Sequence, residues 1–283
     1  MISKYLNPKN DTAFKRIFGE ERNKDIVISL INSVLHKHFK DRKIVDIEFL
    51  KTDQVAETAA AKSSSVDVMC KDQDGNRYIV EMQVTKQKGF EKRAQYYASK
   101  AYIDQMPKGG DWKDLKKIIF IAFADYRIFD YKKSYRTDHV ILDKETYDQD
   151  LEDFSFTFIN MPKFMEKYPN SIPANLDEKF YYFLCKADEL TADQVKDLAS
   201  SEQVIGRAFE ELDIINWPDE ARRAYEKTEN IERNYRANIA GAKEEGEKIG
   251  IEKGEKIGRQ KAIQEMVEQG IITQEQADAM LKK

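Results

Sequence analysis

Two acidic side chains interrupt a pair of apolar, strand-forming segments, and this feature constrains the fold of the chain more than any other. The first segment is Val66–Cys70, which contains Asp67, and the second is Tyr78–Val84, which contains Glu81. Between them lies Asp74-Gly75, one of the strongest short turn signals in a sequence. The two segments therefore predict a β-hairpin, called here the acidic hairpin (residues 66–84).

The length of the loop decides where Asp67 points. A two-residue type I′ turn would pair Val68 with Glu81 and send Asp67 to the opposite face. A three-residue loop, residues 73–75, with Gly75 in the left-handed bulge position, would set Asp67 directly across from Glu81, with Cβ atoms ~5 Å apart. Both turns fit the sequence.

Facing carboxylates would require a compensating charge. Like charges across a sheet repel, and a partly buried carboxylate is costly unless it is paired or binds a metal. Hard divalent cations such as Mg²⁺ or Mn²⁺ take oxygen ligands, so a metal site is one interpretation. The other is a solvated hairpin on which both acids face water, and the pattern alone favours neither.

The order and spacing of these residues resemble a known signature. Asp67, followed by the strand Ile79–Gln83, is similar to the D…(D/E)-x-K motif of PD-(D/E)XK nucleases, with Gln83 where most members carry Lys. More narrowly, the chain resembles the recombination-promoting nuclease and putative transposase family of that superfamily. The resemblance spans roughly residues 5–165, with a looser match beyond, and its supporting segments are Asn10–Gly19, Val66–Val68, Glu81–Gln83 and Lys92–Lys100. Gln at the lysine position is typical of this branch.

The resemblance implies a metal-dependent DNA endonuclease that hydrolyses phosphodiester bonds and promotes recombination, with a link to mobile elements. Asp67 and Glu81 would hold one or two Mg²⁺ or Mn²⁺ ions, with the backbone carbonyl of Met82 as a further ligand. Gln83 would orient the attacking water or contact the scissile phosphate. The alternative is a catalytically inactive DNA-binding or self-assembling protein that keeps the nuclease fold.

A shared ion makes a structural demand on the loop. An even number of loop residues would put the two acids on opposite faces of the hairpin. We therefore expect the loop to be residues 73–75, with Gly75 at positive φ.

Further candidate residues lie outside the acidic hairpin. Asp11 matches the acidic position that relatives place beside the metal, and an N-cap role explains it equally well. Arg93, Tyr96, Tyr97 and Lys100 share one side of a predicted helix. Arg93 and Lys100 are candidates for contacts to DNA phosphates, whereas the two tyrosines are expected in the core.

The charge distribution allows a polyanionic partner. The formal net charge is −4, but Lys and Arg outnumber Asp and Glu about two to one in residues 1–43 and 84–118. These stretches flank the acidic hairpin, and a positive rim around an acidic centre suits DNA. Ordinary Lys-rich surfaces are the alternative explanation.

The predicted elements give an α/β fold: a restriction-endonuclease-like mixed β-sheet core flanked by helices, followed by a helical C-terminal region. We expect a nuclease-like domain at residues 1–165, a helical region at 166–235 and a charged tail at 236–283. The tail carries Gly246, Gly250, Gly254 and Gly258 at a four-residue interval. It predicts either a solvated helix weakened by glycine or a self-association helix that forms a homo-oligomer.

Several function classes are disfavoured. Two cysteines are too few for a structural zinc site, and His36 and His38 are two apart, a poor spacing for a shared metal on a helix. The sequence has no G-x-S-x-G nucleophile, Walker loop or Rossmann fingerprint. No uncharged run approaches ~18 residues and the N-terminus lacks an apolar signal region, so we expect a cytoplasmic protein with no membrane partner.

Overall fold

The computed structural model describes residues 4–36, 43–54, 64–169, 171–200 and 202–281. The chain forms two compact units, residues 1–228 and 229–283. The strands are β1 (Ile47–Phe49), β2 (Asp53–Gln54), β3 (Ser64–Ser65), β4 (Val68–Asp72), β5 (Arg77–Gln83), β6 (Ile118–Ala124), β7 (Arg136–Val140) and β8 (Phe154–Asn160). The helices are α1 (Asp11–Phe18), α2 (Lys24–Leu35), α3 (Phe90–Ile103), α4 (Met161–Lys167), α5 (Leu176–Lys186), α6 (Ala192–Ala199), α7 (Gln203–Leu212), α8 (Asp219–Glu268) and α9 (Gln274–Leu281).

A six-stranded mixed sheet forms the centre of the first unit, in the order β1-β4-β5-β6-β8-β7. Strands β5, β6 and β8 run parallel, and the remaining neighbours pair antiparallel. Every residue of β6 is buried, as its continuous apolar sequence predicts for a strand covered on both faces. The predicted α/β class, a mixed sheet flanked by helices, is confirmed.

Helices cover the two faces of the sheet with separate cores. On one face, Val80 and Phe123 pack in a large cluster with residues of α1, α2, α5 and α7. On the other face, Ile79 packs with residues of α3, among them Phe90 and Ala94. Because strand side chains alternate, Glu81 lies on the same face of β5 as Ile79, towards α3.

Some element boundaries differ from the prediction. The apolar and β-branched residues at 44–51 predict a strand, but only Ile47–Phe49 is assigned as one. The apolar stripe of Ile28, Ile31, Val34 and Leu35 predicts a helix from about Lys24 to His38; α2 is assigned at Lys24–Leu35, and His38 falls outside the described residues. The sequence predicts a strand at residues 154–161, but helix α4 begins at Met161, because the Asn160 side chain accepts the backbone N–H of Lys163 and caps the helix.

The second unit contains α8 from residue 229 onwards and all of α9. Ile263 and Ala277 are its buried residues, one on each helix. The four periodic glycines lie within α8, and a Cβ added at any of them would meet no atom within 4 Å. Self-association through this helix, and the expected domain divisions at residues 165 and 235, stay predictions.

Candidate active site

The acidic hairpin adopts the three-residue loop. Val68 pairs with Val80 and Cys70 with Tyr78, a register that continues to Asp67 opposite Glu81. The amide of Gly75 donates to the Asp72 carbonyl at 3.0 Å, and Gly75 has a φ of +87°. The loop and the positive φ expected for a shared site are confirmed.

The Asp72 side chain explains why this loop forms. Its Oδ1 accepts the backbone N–H groups of Asp74 and Asn76, both at 2.9 Å. Its Oδ2 accepts the Tyr78 hydroxyl at 2.8 Å. A buried carboxylate that satisfies two loop amides favours a three-residue connection over the two-residue alternative.

Asp67 and Glu81 lie where the backbone pairing of the hairpin stops, and each caps the opposite strand. The Asp67 backbone N–H donates to Glu81 Oε1 at 3.1 Å, and the Met82 backbone N–H donates to Asp67 Oδ2 at 2.8 Å. Glu81 is buried and Asp67 is half-buried. The two carboxylates are therefore fixed by the backbone rather than by long side-chain contacts.

This environment disfavours two negative charges. Burial, with a smaller contribution from the nearby charge of Asp11, raises the pKa of Asp67 to about 6. Burial, and then the charge of Asp67, hold the pKa of Glu81 well above its ordinary value. The pair therefore needs either a bound cation or a proton near neutral pH.

Gln83 connects the acidic pair to helix α3. Its Nε2 donates to Glu81 Oε2 at 2.9 Å, and its Oε1 accepts the Arg93 guanidinium at 2.5 Å. Arg93 also donates to Gln87 and lies over the ring of Phe90, 5.0 Å from its centroid. The amide of Gln83 is thereby held with its NH₂ group towards the acids.

Helix α1 contributes Asp11 and Lys15. Asn10 is the N-cap, with its side chain accepting the N–H groups of Thr12 and Ala13, so the N-cap explanation for Asp11 is wrong. Asp11 is instead the first residue of the helix and forms an i,i+4 ion pair with Lys15 at 2.7 Å. Lys15 was missed by the sequence reasoning, although its spacing from Asp11 places both on one helix face.

Both α1 side chains act on the acidic hairpin. The negative charge of Asp11 raises the pKa of Asp67. The charges of Asp67 and Glu81 favour the charged form of Lys15, together with the nearer carboxylate of Asp11, and they raise its pKa despite partial burial. The charges of Asp11 and Lys15 on α1 therefore influence the predicted pair electrostatically.

The predicted face of α3 is confirmed in part. Tyr97 is buried in the core, as expected, but Tyr96 is 49% exposed, so its expected core position is wrong. The two tyrosines are consecutive, and their side chains point about 100° apart around the helix, so one ring faces the core while the other faces solvent. Lys100 is half-buried one turn beyond Tyr96, further along the helix than Arg93.

Residues 8–242 match the model of a family described as the PD-(D/E)XK nuclease family transposase, a span of more than four fifths of the chain. The chain belongs to this family. No curated protein and no solved structure matches it at a significant level. Membership confirms the resemblance carried by Asp67 and Glu81 and indicates a nuclease-like function.

The carboxylate oxygens of the acidic pair are suitable ligands for the divalent cation that PD-(D/E)XK nucleases usually use. Its hydrogen bonds to Asp67 N–H, Met82 N–H and Gln83 occupy three of four carboxylate oxygens, each of which retains a further lone pair. Within the described ranges, no three His, Cys, Asp or Glu residues are grouped closely enough to form a ready ligand set. The remaining ligands would come from backbone, water or substrate, as is usual for Mg²⁺.

Proposed function

We propose that this protein is a Mg²⁺- or Mn²⁺-dependent DNA endonuclease whose active site is built on Asp67 and Glu81. The observation that carries the proposal is the register of the acidic hairpin. It sets the half-buried Asp67 carboxylate across from the buried Glu81 carboxylate, and burial raises the pKa of both. Membership of a nuclease family supplies the reaction class.

Asp67, Glu81 and the backbone carbonyl of Met82 would hold the metal. The Met82 N–H points towards Asp67, and since the N–H and C=O of a strand residue point to the same side, its carbonyl is expected to face Asp67 too. A bound divalent cation would lower the pKa of water and offset charge on the phosphate. Asp11 lies near enough to add to the negative field of the pair.

Gln83 would position the substrate. A side-chain amide carries two N–H groups, and one is used by Glu81. The second would be left for the attacking water or a phosphate oxygen. The hydrogen bond from Arg93 to the amide oxygen keeps this NH₂ group directed at the reaction site.

The cations of α3 would contribute to DNA binding. Arg93 lies beside the acids and would favour a phosphate group there, although two of its nitrogens already donate to Gln83 and Gln87. Lys100 lies two turns further along α3 and would contact a neighbouring phosphate. DNA is therefore the proposed partner, and within the described residues no helix is long and apolar enough to cross a bilayer.

Cleavage of supercoiled plasmid tests the proposal. We expect the wild-type protein to nick or linearise the plasmid with Mg²⁺ or Mn²⁺ and to leave it intact with chelator. Asp67→Ala should be inactive under both conditions. Binding of DNA without cleavage at any divalent cation would instead favour the inactive DNA-binding protein.

A role in recombination is the biological consequence that we propose, because breaks made by such an enzyme are substrates for strand exchange. Expression of wild-type protein should raise the frequency of recombination between two marked DNA segments. Expression of Asp67→Ala at the same level should not. An equal rise in recombination frequency with both proteins would show that the effect on recombination does not require cleavage.

A further inference from the structure

We propose that Tyr131, in the loop between β6 and β7 (residues 125–135, the β6–β7 loop), stacks on an unpaired base of the DNA substrate. The inference rests on the proposed function and names its substrate class, which is DNA with unpaired bases close to the cut. The feature that carries it is an aromatic ring left 82% exposed on a loop whose backbone is held by a buried lysine.

The β6–β7 loop lies at the edge of the sheet where β5 ends. The Asp125 backbone N–H donates to the Gln83 carbonyl at 2.8 Å, so the loop begins beside the end of β5. The loop ends where the Tyr135 carbonyl accepts the Asn160 N–H at 2.7 Å, at the end of β8. Neighbouring strands lie about 4.8 Å apart, so the loop covers a region roughly 5–15 Å from Gln83 across the sheet. A DNA strand bound at the acids would pass this loop within a few nucleotides.

The loop packs on the same face of the sheet as Glu81. Ile128 and Phe129 pack against the cluster formed by residues of β5 and α3. The Phe129 ring meets the ring of Phe158 edge-on, with 5.2 Å between centroids. The loop therefore rests on the face towards which Glu81 points.

A buried lysine fixes the backbone on both sides of Tyr131. Lys163 Nζ donates to the carbonyl of Asp130 at 2.9 Å and to that of Lys132 at 2.5 Å. The Lys163 side chain is only 8% exposed, and a buried ammonium is costly unless its hydrogen bonds are satisfied. The position of Tyr131 is thus set before any partner binds, which lowers the entropic cost of placing its ring on a base.

The charge around Tyr131 suits DNA. Asp130 forms an ion pair with Arg127 at 3.3 Å, and Asp125 is paired at 2.9 Å with a lysine that precedes α1. Within the described residues, Lys132 and Lys133 form no ion pair, so they leave this part of the loop positive. An aromatic ring flanked by cations is suited to single-stranded nucleic acid, since a base stacks on the ring and phosphates contact the cations.

Stacking on Tyr131 requires an open base face. In a continuous duplex, neighbouring bases cover both faces of each base, whereas a gap leaves faces open. The proposal therefore predicts that the protein binds and cuts gapped DNA in preference to continuous duplex.

Binding in chelator tests the contact without turnover. The anisotropy of a labelled duplex is compared with that of the same duplex carrying a short central gap. We expect wild-type protein to bind the gapped DNA roughly 5- to 100-fold more tightly, the range for one stacked base. Tyr131→Ala should lose this preference and keep its affinity for continuous duplex, and Tyr131→Trp should retain it. Because the ring is exposed, Tyr131→Ala should melt within a few degrees of wild type.

Tyr147→Ala is the matched control. Tyr147 is 74% exposed on the loop between β7 and β8, at the opposite edge of the sheet, and its loss should leave the preference for gapped DNA intact. Lys133→Ala separates charge from stacking. It should reduce the slope of log affinity against log salt by about 0.7–0.9 and keep the preference, whereas Tyr131→Ala should keep the slope.

Equal binding of both DNAs by wild-type protein, or an unchanged preference in Tyr131→Ala, would overturn this inference and leave the proposed function standing. Faster cutting of gapped DNA by wild-type protein than by Tyr131→Ala would support both. A Tyr131-dependent preference without cleavage at any divalent cation would keep the stacking contact and overturn the endonuclease. Wild-type protein that binds neither DNA would overturn both.

Discussion

The acids and the cations of the site are held in opposite ways. Glu81 lies on β5 and Asp67 directly precedes β4, and each side chain accepts a backbone N–H from the other side of the hairpin. Lys15 and Arg93 come from two helices on different sides of the chain's core, one attached by a single ion pair and the other by hydrogen bonds and ring contacts. The acids are thus fixed by local pairing, and the cations by tertiary packing.

The acids and the cations also differ in the chemical task for which each is suited. Strand-borne carboxylates are suited to a task that requires fixed oxygen positions, such as metal binding. Arg93 has a different task, because its hydrogen bond to the side-chain oxygen of Gln83 orients that amide.

Removal of either acid should have the largest effect. Asp67→Ala or Glu81→Ala should lower cleavage at least roughly 10³-fold, since each loses a metal ligand worth several kcal/mol of transition-state stabilisation. Stability without metal should hold or rise, because each change removes a repelling neighbour. Glu48→Ala is the control, because Glu48 is an exposed acid of the same sheet that forms an ion pair with Lys71. Full cleavage by either Asp67→Ala or Glu81→Ala would show that the acidic hairpin does not form the active site.

Loss of Arg93 should have a smaller effect of another kind. Arg93→Met leaves the Gln83 amide free to rotate, and we expect kcat to fall roughly 10- to 100-fold, as for other residues that orient a metal ligand or its neighbour. Arg93→Lys should recover part of the lost kcat. Lys92 is an exposed neighbour on α3, and Lys92→Met should leave kcat unchanged. If Arg93→Met raised KM and left kcat unchanged, Arg93 would instead act only by contacting a DNA phosphate.

The acidic hairpin was predictable because its signals are local. Alternating apolar residues, Asp74-Gly75 and the spacing of the two acids narrowed the hairpin to two registers, and the Asp72 side chain accounts for the one observed. Lys15 was not predictable in the same way. Nothing within α1 shows that the helix packs beside β5, and an Asp-Lys i,i+4 pair is common on any solvated helix.

The same contrast explains the errors at element ends. β6 was located within one residue because its apolar run is continuous. Tyr96 was misplaced because helical spacing defines a side of α3 but not the width of the buried stripe. Short strand β1 depends on pairing with β4, which the sequence around Ile47 does not encode by itself.

The loop offers a way to disturb the acids without touching them. Gly75→Val forces a β-branched residue to a φ of +87° and brings its Cβ to 3.3 Å from the Lys116 side chain. We expect a loss of about 2 kcal/mol in the free energy of unfolding and weaker Mn²⁺ binding. Asn tolerates the left-handed region better than Val, so Gly75→Asn should lose less unfolding free energy and less Mn²⁺ affinity. Unchanged denaturation midpoints for both variants would show that the loop does not set the register.

The pH dependence of metal-free stability should report the repulsion between the acids. Burial raises the pKa of Asp67 to about 6, above the value of an unfolded chain, so the folded state binds more protons between those values. The free energy of unfolding should therefore fall as pH rises from about 4 to above 6, by about 1–2 kcal/mol in chelator. Asp67→Asn should flatten this fall. A wild-type profile that rises over the same window would mean that the pair is already neutralised by protein cations.

Lys100 should show the smallest effect. If it contacts one phosphate, Lys100→Ala should reduce the slope of log affinity against log salt by about 0.9. Lys253→Ala, an exposed change in α8, should leave the slope unaltered. Binding measured without divalent cation, by anisotropy of a labelled duplex over several salt concentrations, checks both. Equal slopes for all three proteins would move the DNA-binding face away from α3.

Anomalous diffraction from crystals grown with Mn²⁺ tests the central claim most directly, because it locates the ion without assuming any activity. The account predicts a peak about 2.1–2.3 Å from carboxylate oxygens of both Asp67 and Glu81, with Met82 carbonyl oxygen in the same coordination sphere. The peak should vanish in Asp67→Ala. A well-ordered structure at saturating Mn²⁺ with no peak between these two residues would contradict the account.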